Sequence, residues 1–238
     1  MARFVLIHGA CHDGRCWHRV IPELEARGHA AVAPDLPGRG ADPRPHGDIT
    51  LDDYAQTVID AATDLGTPAI LVGHSAGGFA ISRAAELAPE VAQRLVYLCA
   101  FLPRDGHSLV QMADSWPQPP LKGIARRQGD GYEVDTGADD LRFYHDVPED
   151  LRRVAQANLV PEPMAPHAAP IRLGPNWQNT PRSYIRCTQD LTIAPAHQAE
   201  MAADCDPKDR YDMPTGHSPF LSDPRGLAAL LHQIAGGH

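Results

Sequence analysis

Apolar positions in the first hundred residues come in two alternating patterns. Phe4–Ile7, Ala69–Val72 and Leu95–Phe101 are short, continuous apolar runs, the pattern of strands buried on both faces. Between them the apolar residues recur at helical spacing. Trp17, Val20, Ile21 and Leu24 predict a helix closed by Gly28 at C′. Thr50 with Asp53 forms a capping box for a helix to about Leu65, and Ala76–Leu87 reads as a third helix. His29–Ala33 reads as a strand, followed by a turn-rich loop from Pro34 to Gly40. Strands separated by helices of this length predict βαβ crossovers and a mostly parallel sheet flanked by helices.

This rhythm stops at 103 and resumes at 182. Residues 103–181 hold 11 of the 23 prolines, and sustained strand alternation is hard to find there; a helix is expected near Asp150–Asn158. The segment still carries Met112, Trp116, Phe143, Tyr144, Met164 and Trp177, residues in which disordered linkers are poor. It therefore reads as a cap insertion packed over a core made of 1–102 and 182–238. In the last part, Ser183–Cys187 and Arg210–Met213 read as strands, and Pro195–Ala203 and Pro224–Ala235 as helices.

Composition narrows the partners. A chain of 238 residues can bury a core that needs no disulfide or metal staple. The net charge of −9 argues against nucleic acid or an anionic membrane, since both need a basic face. Five scattered cysteines fit neither a disulfide framework nor a zinc spacing, and a strand begins almost at the N-terminus. No apolar run reaches the ~20 residues of a membrane span. A cytoplasmic protein is the expectation; oligomeric state is open, a homo-oligomer included.

The chemistry centres on Gly73-His74-Ser75-Ala76-Gly77. Gly-x-Ser-x-Gly alone is a weak signal, and a glycine-rich turn is the plain alternative. Between a strand and a helix it gains force, because a sharp strand-to-helix turn strains the serine and lifts its Oγ to the top of a sheet. A serine hydroxyl needs a base, and in proteins with this turn the partners follow in the order Ser, acid, His. Of thirteen histidines, His217 lies in a loop after the last short strand and before the last helix, where a base is delivered over the nucleophile. His74 is expected to point elsewhere, His8 to be structural, and His107, His145, His167 and His197 to be solvated or core residues. Asp190 follows the Ser183–Cys187 strand and is the candidate acid; Asp204 and Asp206 compete but look like solvated helix-end caps. Ala76 N–H is one candidate oxyanion donor, and Ala10 N–H the second by analogy. His8 and His12 have the i, i+4 spacing of metal ligands, but on a strand and loop instead of a helix, so no metal is expected.

Taken together, Phe4–Ala10, Gly28-His29, Ala33–Gly38, Gly73–Gly78, Cys187–Asp190 and Gly216-His217 resemble one branch of the α/β-hydrolases. That branch holds plant methyl-ester esterases (among them the salicylate-binding methyl salicylate esterase), α-hydroxynitrile lyases and bacterial esterases. The likeness spans nearly the whole chain and is weakest across 103–181. It implies an α/β-hydrolase fold, a Ser75–Asp190–His217 triad and cofactor-free chemistry. The lyases of the branch carry Thr after the first-strand His and Lys after the catalytic His; here these are Gly9 and Ser218. Dehalogenases and epoxide hydrolases of this fold use Asp where Ser75 stands.

The resulting expectation is a serine hydrolase of a small to medium ester or lactone. Trp116, Phe143 and Trp177 are the expected apolar substrate contacts, and Lys122, Arg126 and Arg127 offer a cationic rim that is by default simply solvated. Two rivals remain at this point: a lyase, cyclase or C–C-cleaving enzyme on the same fold, and a non-enzymatic small-ligand receptor. An intact Ser-Asp-His set weighs against the receptor.

Overall fold

A computed structural model describes residues 1–39, 42, 44–137 and 140–236. Among the described residues nine strands fall into two sheets. The larger contains β1 (Arg3–Ile7), β2 (Ala30–Val32), β3 (Ala69–His74) and β4 (Ala92–Leu98). The smaller contains β5 (Ala125–Gln128), β6 (Gly131–Val134) and β7 (Glu162–Pro163). With β8 (Arg182–Cys187) and β9 (Arg210–Met213) the larger sheet has the order β2-β1-β3-β4-β8-β9, and every pairing in it is parallel.

The continuous apolar runs follow from two-sided burial. Val5, Ile7, Leu71, Leu95 and Tyr97 pack into one core layer, while Phe4, Leu6, Ile70, Val72, Val96 and Leu98 pack into the other. Successive side chains of a strand point to opposite faces, so a strand covered on both sides must be apolar at every position. The helix Leu51–Leu65 buries Leu51, Tyr54, Ala55, Val58 and Ala62, an i, i+3/i+4 stripe, against the first layer. Its reciprocal Thr50–Asp53 capping box is present as expected.

The strand order reverses at β1. The chain runs outward from β1 to β2, then crosses back to place β3 on the other side of β1. The loops leaving the carboxyl ends of β1 and β3 therefore part around a crevice, the place where open α/β sheets bind ligands. Gly9–His12 and His74–Ala76 are those two loops.

Three local expectations are corrected. The helix over Trp17–Glu25 is a 3₁₀ turn, Gly14–Trp17, capped by the Asp13 side chain, followed by a separate helix Ile21–Glu25. Pro22 lies in the first turn of the second piece, where its missing N–H costs nothing. Gly28, at φ +79°, does close it: His29 N–H bonds the Leu24 carbonyl and Gly28 N–H the Glu25 carbonyl. The fourth strand runs Ala92–Leu98 and stops before Cys99 at φ +35°. Between β4 and β8 the chain forms the second sheet, whose hairpin turns on Gly129-Asp130 and whose strands are too short for alternation to register. The same segment contains the expected helix, Glu149–Ala157, and an unforeseen one, Leu109–Asp114, with a Ser108–Gln111 capping box.

Thr50→Ala removes the side-chain acceptor for Asp53 N–H and should lower stability by about 1 kcal/mol in urea unfolding. An unchanged midpoint would show that the helix is held by packing alone.

Candidate active site

Ser75 follows β3 at φ +51°, a region that a non-glycine residue occupies only under constraint. The constraint is the crowding around it. A Cβ at Gly73 would lie 2.7 Å from the Gly77 carbonyl oxygen, and one at Gly78 would collide with the Phe101 carbonyl. Only glycines let the strand, the turn and the next helix meet this closely. The turn is pinned by Ser75 N–H donating to the Leu98 carbonyl at 3.2 Å and Phe101 N–H donating to the Ser75 carbonyl at 3.0 Å.

His217 and Asp190 come together as expected. His217 Nδ1–H donates to Asp190 Oδ2 at 2.8 Å, which leaves Nε2 as the ring nitrogen without a partner among the described residues. Asp190 is buried and accepts three more hydrogen bonds, from Thr192 N–H at 2.7 Å, Ile193 N–H at 3.0 Å and Gln198 Nε2 at 2.8 Å. Four donors around one carboxylate fix its position and orientation. Gln198, fully buried on the helix Pro195–Ala202, also bonds Cys187 N–H, so it ties the acid to the end of β8. Asp206 is a cap, accepting from Lys208 N–H, and Asp204 lies on the exposed surface.

His74 does not point away from the site. Its Nε2–H donates to the His217 carbonyl at 2.8 Å, and the two rings lie 4.7 Å apart. It holds the loop that carries the candidate base. Gly216 N–H, one residue earlier, donates to Asp146 Oδ2 at 2.7 Å. Phe143 stacks against the His217 ring with centroids 5.8 Å apart.

On the opposite side stand Ala10 and Ala76. Both border the same cavity as Ser75 and His217, and among the described residues neither N–H has a hydrogen-bond partner. The Ala10 loop is tightly held. His12 Nδ1–H donates to the Ala10 carbonyl at 2.8 Å, and its Nε2 accepts from the Tyr144 hydroxyl at 2.7 Å. His8 is structural as expected, donating from Nδ1 to the Gly9 carbonyl and accepting at Nε2 from Leu36 N–H. Neither ring offers a free nitrogen for a metal. Among the described residues His74, Cys99 and His217, all buried, bring ligand-type atoms within 4.8 Å of one another; His74 Nε2 and His217 Nδ1 are hydrogen-bonded, while His74 Nδ1 has no partner there.

The cavity has a volume of about 580 Å³. Phe101, Leu109, Val110, Phe143 and Met164 give it an apolar wall, and Lys122 and Arg127 also border it. Of the three expected apolar contacts only Phe143 lies there. Trp116 is stacked between Phe101 and His197, with centroids 5.1 and 4.3 Å away, and faces a separate groove. Trp177 is buried against the sheet, its Nε1–H donating to Tyr97 Oη at 3.0 Å with Arg182 over its ring. Size and hydrophobicity do not separate core-facing from cavity-facing aromatics in a segment without periodicity. Arg126 pairs with Asp135 at 2.6 Å.

His167, expected to be solvated or core, borders the cavity, and its Nε2 lies 2.8 Å from the buried carboxylate of Glu162. Burial works against the charge of Glu162, but Arg39 and His167 beside it hold the carboxyl well below the usual range. No local motif in the sequence marks this group, because Arg39, Tyr54, Glu162 and His167 meet only in the fold.

The sequence profile of the alpha/beta hydrolase family matches residues 4–230. A pyrethroid hydrolase of Sphingobium wenxiniae is 30% identical, the match covering 97% of this chain and 86% of the relative. Methylesterase 7 of Arabidopsis thaliana is 29% identical over 98% of this chain and 96% of its own length. Among solved structures, a pyrethroid hydrolase from Sphingobium faniae superposes with a TM-score of 0.87 at 28% identity, covering 99% of this chain and 97% of the other.

Acid should destabilise the fold through the buried imidazoles. Burial pushes His12 down to about 4 and, reinforced by Arg39, His8 down to about 3; His74 is lowered as well, by burial and the adjacent His217. All three stay neutral in the folded chain, while in the unfolded chain they titrate near 6.5. Below that pH the unfolded state binds more protons, so this stability is present above 6.5 and lost as pH falls toward the folded values. Each group contributes up to about 1.4 kcal/mol per pH unit. Urea midpoints should fall clearly between pH 7.5 and 5, and a flat profile would contradict neutral burial.

Proposed function

This chain belongs to the alpha/beta hydrolase family, and we propose how it works as a carboxylic-ester hydrolase: through an acyl-enzyme on Ser75. His217 Nε2 takes the Ser75 proton as Oγ bonds to the acyl carbon. The Ala10 and Ala76 N–H groups hold the oxyanion that forms, and Asp190 keeps the imidazolium oriented without taking a proton itself. The imidazolium then protonates the departing alkoxide. A water, deprotonated by the same His217, adds to the acyl carbon; the imidazolium returns that proton to Ser75 Oγ as the acyl–Oγ bond breaks and the carboxylic acid leaves.

The observation that carries this reading is the 2.8 Å His217–Asp190 bond on a histidine that shares its cavity with Ser75 and two unpartnered N–H groups. A ligand receptor has no use for that combination. The names of the relatives, pyrethroid hydrolase and methylesterase, support an ester as the substrate class. The apolar wall and a volume of about 580 Å³ favour a small to medium ester with an aromatic or alicyclic part. Gly9 and Ser218, in place of the Thr and Lys that the resembling lyases carry, weigh against cyanohydrin cleavage.

A fluorophosphonate probe should label one peptide, the one containing Ser75, and labelling elsewhere or none would refute the nucleophile. Ser75→Ala should abolish turnover of p-nitrophenyl acetate. Asp190→Asn should leave the protein folded and lower kcat by roughly 10³–10⁴-fold, since an amide favours the wrong imidazole tautomer. Unchanged kcat would remove Asp190 from the mechanism. A panel of methyl esters and lactones with aromatic or alicyclic groups then ranks substrates by kcat/KM.

A further inference from the structure

The loop that carries the Ala10 donor is held from two directions, by its own histidines and by the segment between β4 and β8. Cys11, next to the Ala10 donor, sits at φ +58°, a backbone state that a residue with a side chain keeps only when its surroundings impose it. The Gly9 carbonyl, on the peptide that carries the Ala10 N–H, accepts from His8 Nδ1–H at 2.9 Å and from His12 N–H at 3.4 Å. The main sheet does not hold the Cys11 end of the loop. Cys11 N–H donates to Glu162 Oε2 at 2.7 Å, and the Cys11 carbonyl accepts from Val160 N–H at 3.0 Å. Both partners belong to the segment between β4 and β8.

Glu162 is itself anchored. It is fully buried, forms an ion pair with Arg39, and accepts at Oε1 from the Tyr54 hydroxyl at 2.9 Å and from His167 Nε2 at 2.8 Å. Arg39 reaches back to the same loop, its Nε donating to the His12 carbonyl at 2.8 Å. The Ala10–Cys11 peptide is thus clamped at both ends: its N–H by Glu162 and its carbonyl by His12 Nδ1. A buried ion pair contributes little net stability that a well-packed apolar pair of the same volume would not. What an apolar pair cannot do is accept the Cys11 N–H, and a carboxylate does so more strongly than a neutral oxygen.

Resting on the acyl-transfer chemistry proposed above, we infer that Glu162 is a positioning residue for the oxyanion donor of Ala10. Through Cys11 it fixes the plane of the Ala10–Cys11 peptide and so the backbone torsions at Ala10, acting with the His8 and His12 bonds to the Gly9 carbonyl on the direction of that N–H. A residue of the inserted segment thereby shares in how well the tetrahedral intermediate is held. Substrate binding depends on the cavity wall and is largely separate from it.

The test compares wild type with the double variant Arg39→Met/Glu162→Met, which keeps volume while removing the clamp, and with the near-isosteric Glu162→Gln. Three readouts are taken: kcat and KM on a p-nitrophenyl ester, inhibition by an aryl trifluoromethyl ketone, and inhibition by the product acid. The ketone adds Ser75 Oγ and forms a hemiketal oxyanion, whereas the acid reports only the ground-state pocket. The double variant should stay folded, with kcat lowered by about 10–100-fold. KM and product affinity should stay within about threefold, and ketone affinity should fall in step with kcat. A folded double variant with wild-type kcat and ketone affinity would overturn the inference. So would equal losses of ketone and product affinity, which mean a collapsed pocket. If the double variant does not fold, Glu162→Gln carries the comparison: its neutral amide oxygen accepts the Cys11 N–H more weakly, so kcat and ketone affinity should fall together by a smaller factor while product affinity holds. Unchanged kcat and ketone affinity in that variant, or its failure to fold, would overturn the inference. A wild type that binds the ketone no better than the product acid would instead contradict the acyl-transfer reading itself.

Discussion

The close approach of three backbone segments at the top of the sheet holds Ser75 at φ +51°. β3, the helix Gly77–Leu87 and the loop after β4 at Phe101 meet at distances that admit no side chain at Gly73 or Gly78. Two backbone hydrogen bonds, to Leu98 and from Phe101, then fix the turn between them. Everything else in the site is arranged around this fixed point. The reversal of strand order at β1 opens the crevice in front of it, β1 delivers Ala10 to one side, and the ends of β8 and β9 deliver Asp190 and His217 to the other.

The loops that meet at this crevice share a second dependence. Each is tied to the segment inserted between β4 and β8: Cys11 to Val160 and Glu162, Gly216 to Asp146, and Thr192 Oγ to the Arg142 carbonyl at 3.0 Å. The insertion is therefore more than a wall of the cavity. It supplies hydrogen-bond partners to the loops that carry Ala10, His217 and Asp190 at once. On the proposed mechanism, changes of sequence there alter the geometry of catalysis as well as the shape of the pocket.

How much of this was legible in the sequence follows the range of the interactions. Phe4–Ile7, Ala69–Val72 and the Thr50 capping box are local patterns with local causes, and they appear where expected. Ser75, Asp190 and His217 could be chosen because chain order and loop position constrain them, and the fold brings Asp190 and His217 within a hydrogen bond. The insertion was different. Phe143 faces the cavity while Trp116 and Trp177 do not, although all three are large apolar residues in a proline-rich stretch. Glu162, His167 and Arg39 carried no signal because they are partners across 123 residues or a single short helix, and nothing local marks a charge as one to be buried. His74 was placed beside the serine but not under the base, since only the fold shows which carbonyl its Nε2 reaches.

The central claim is that Ser75 forms a covalent acyl intermediate which His217 then clears. It is tested most directly by quenching p-nitrophenyl acetate turnover in acid within the first few turnovers and mapping the digested protein by mass spectrometry. The account predicts an acetyl group on the peptide containing Ser75, formed with the initial burst of p-nitrophenolate and lost as substrate is exhausted. Turnover at the same rate with Ser75 unmodified, or with the acetyl group on another side chain, would contradict it.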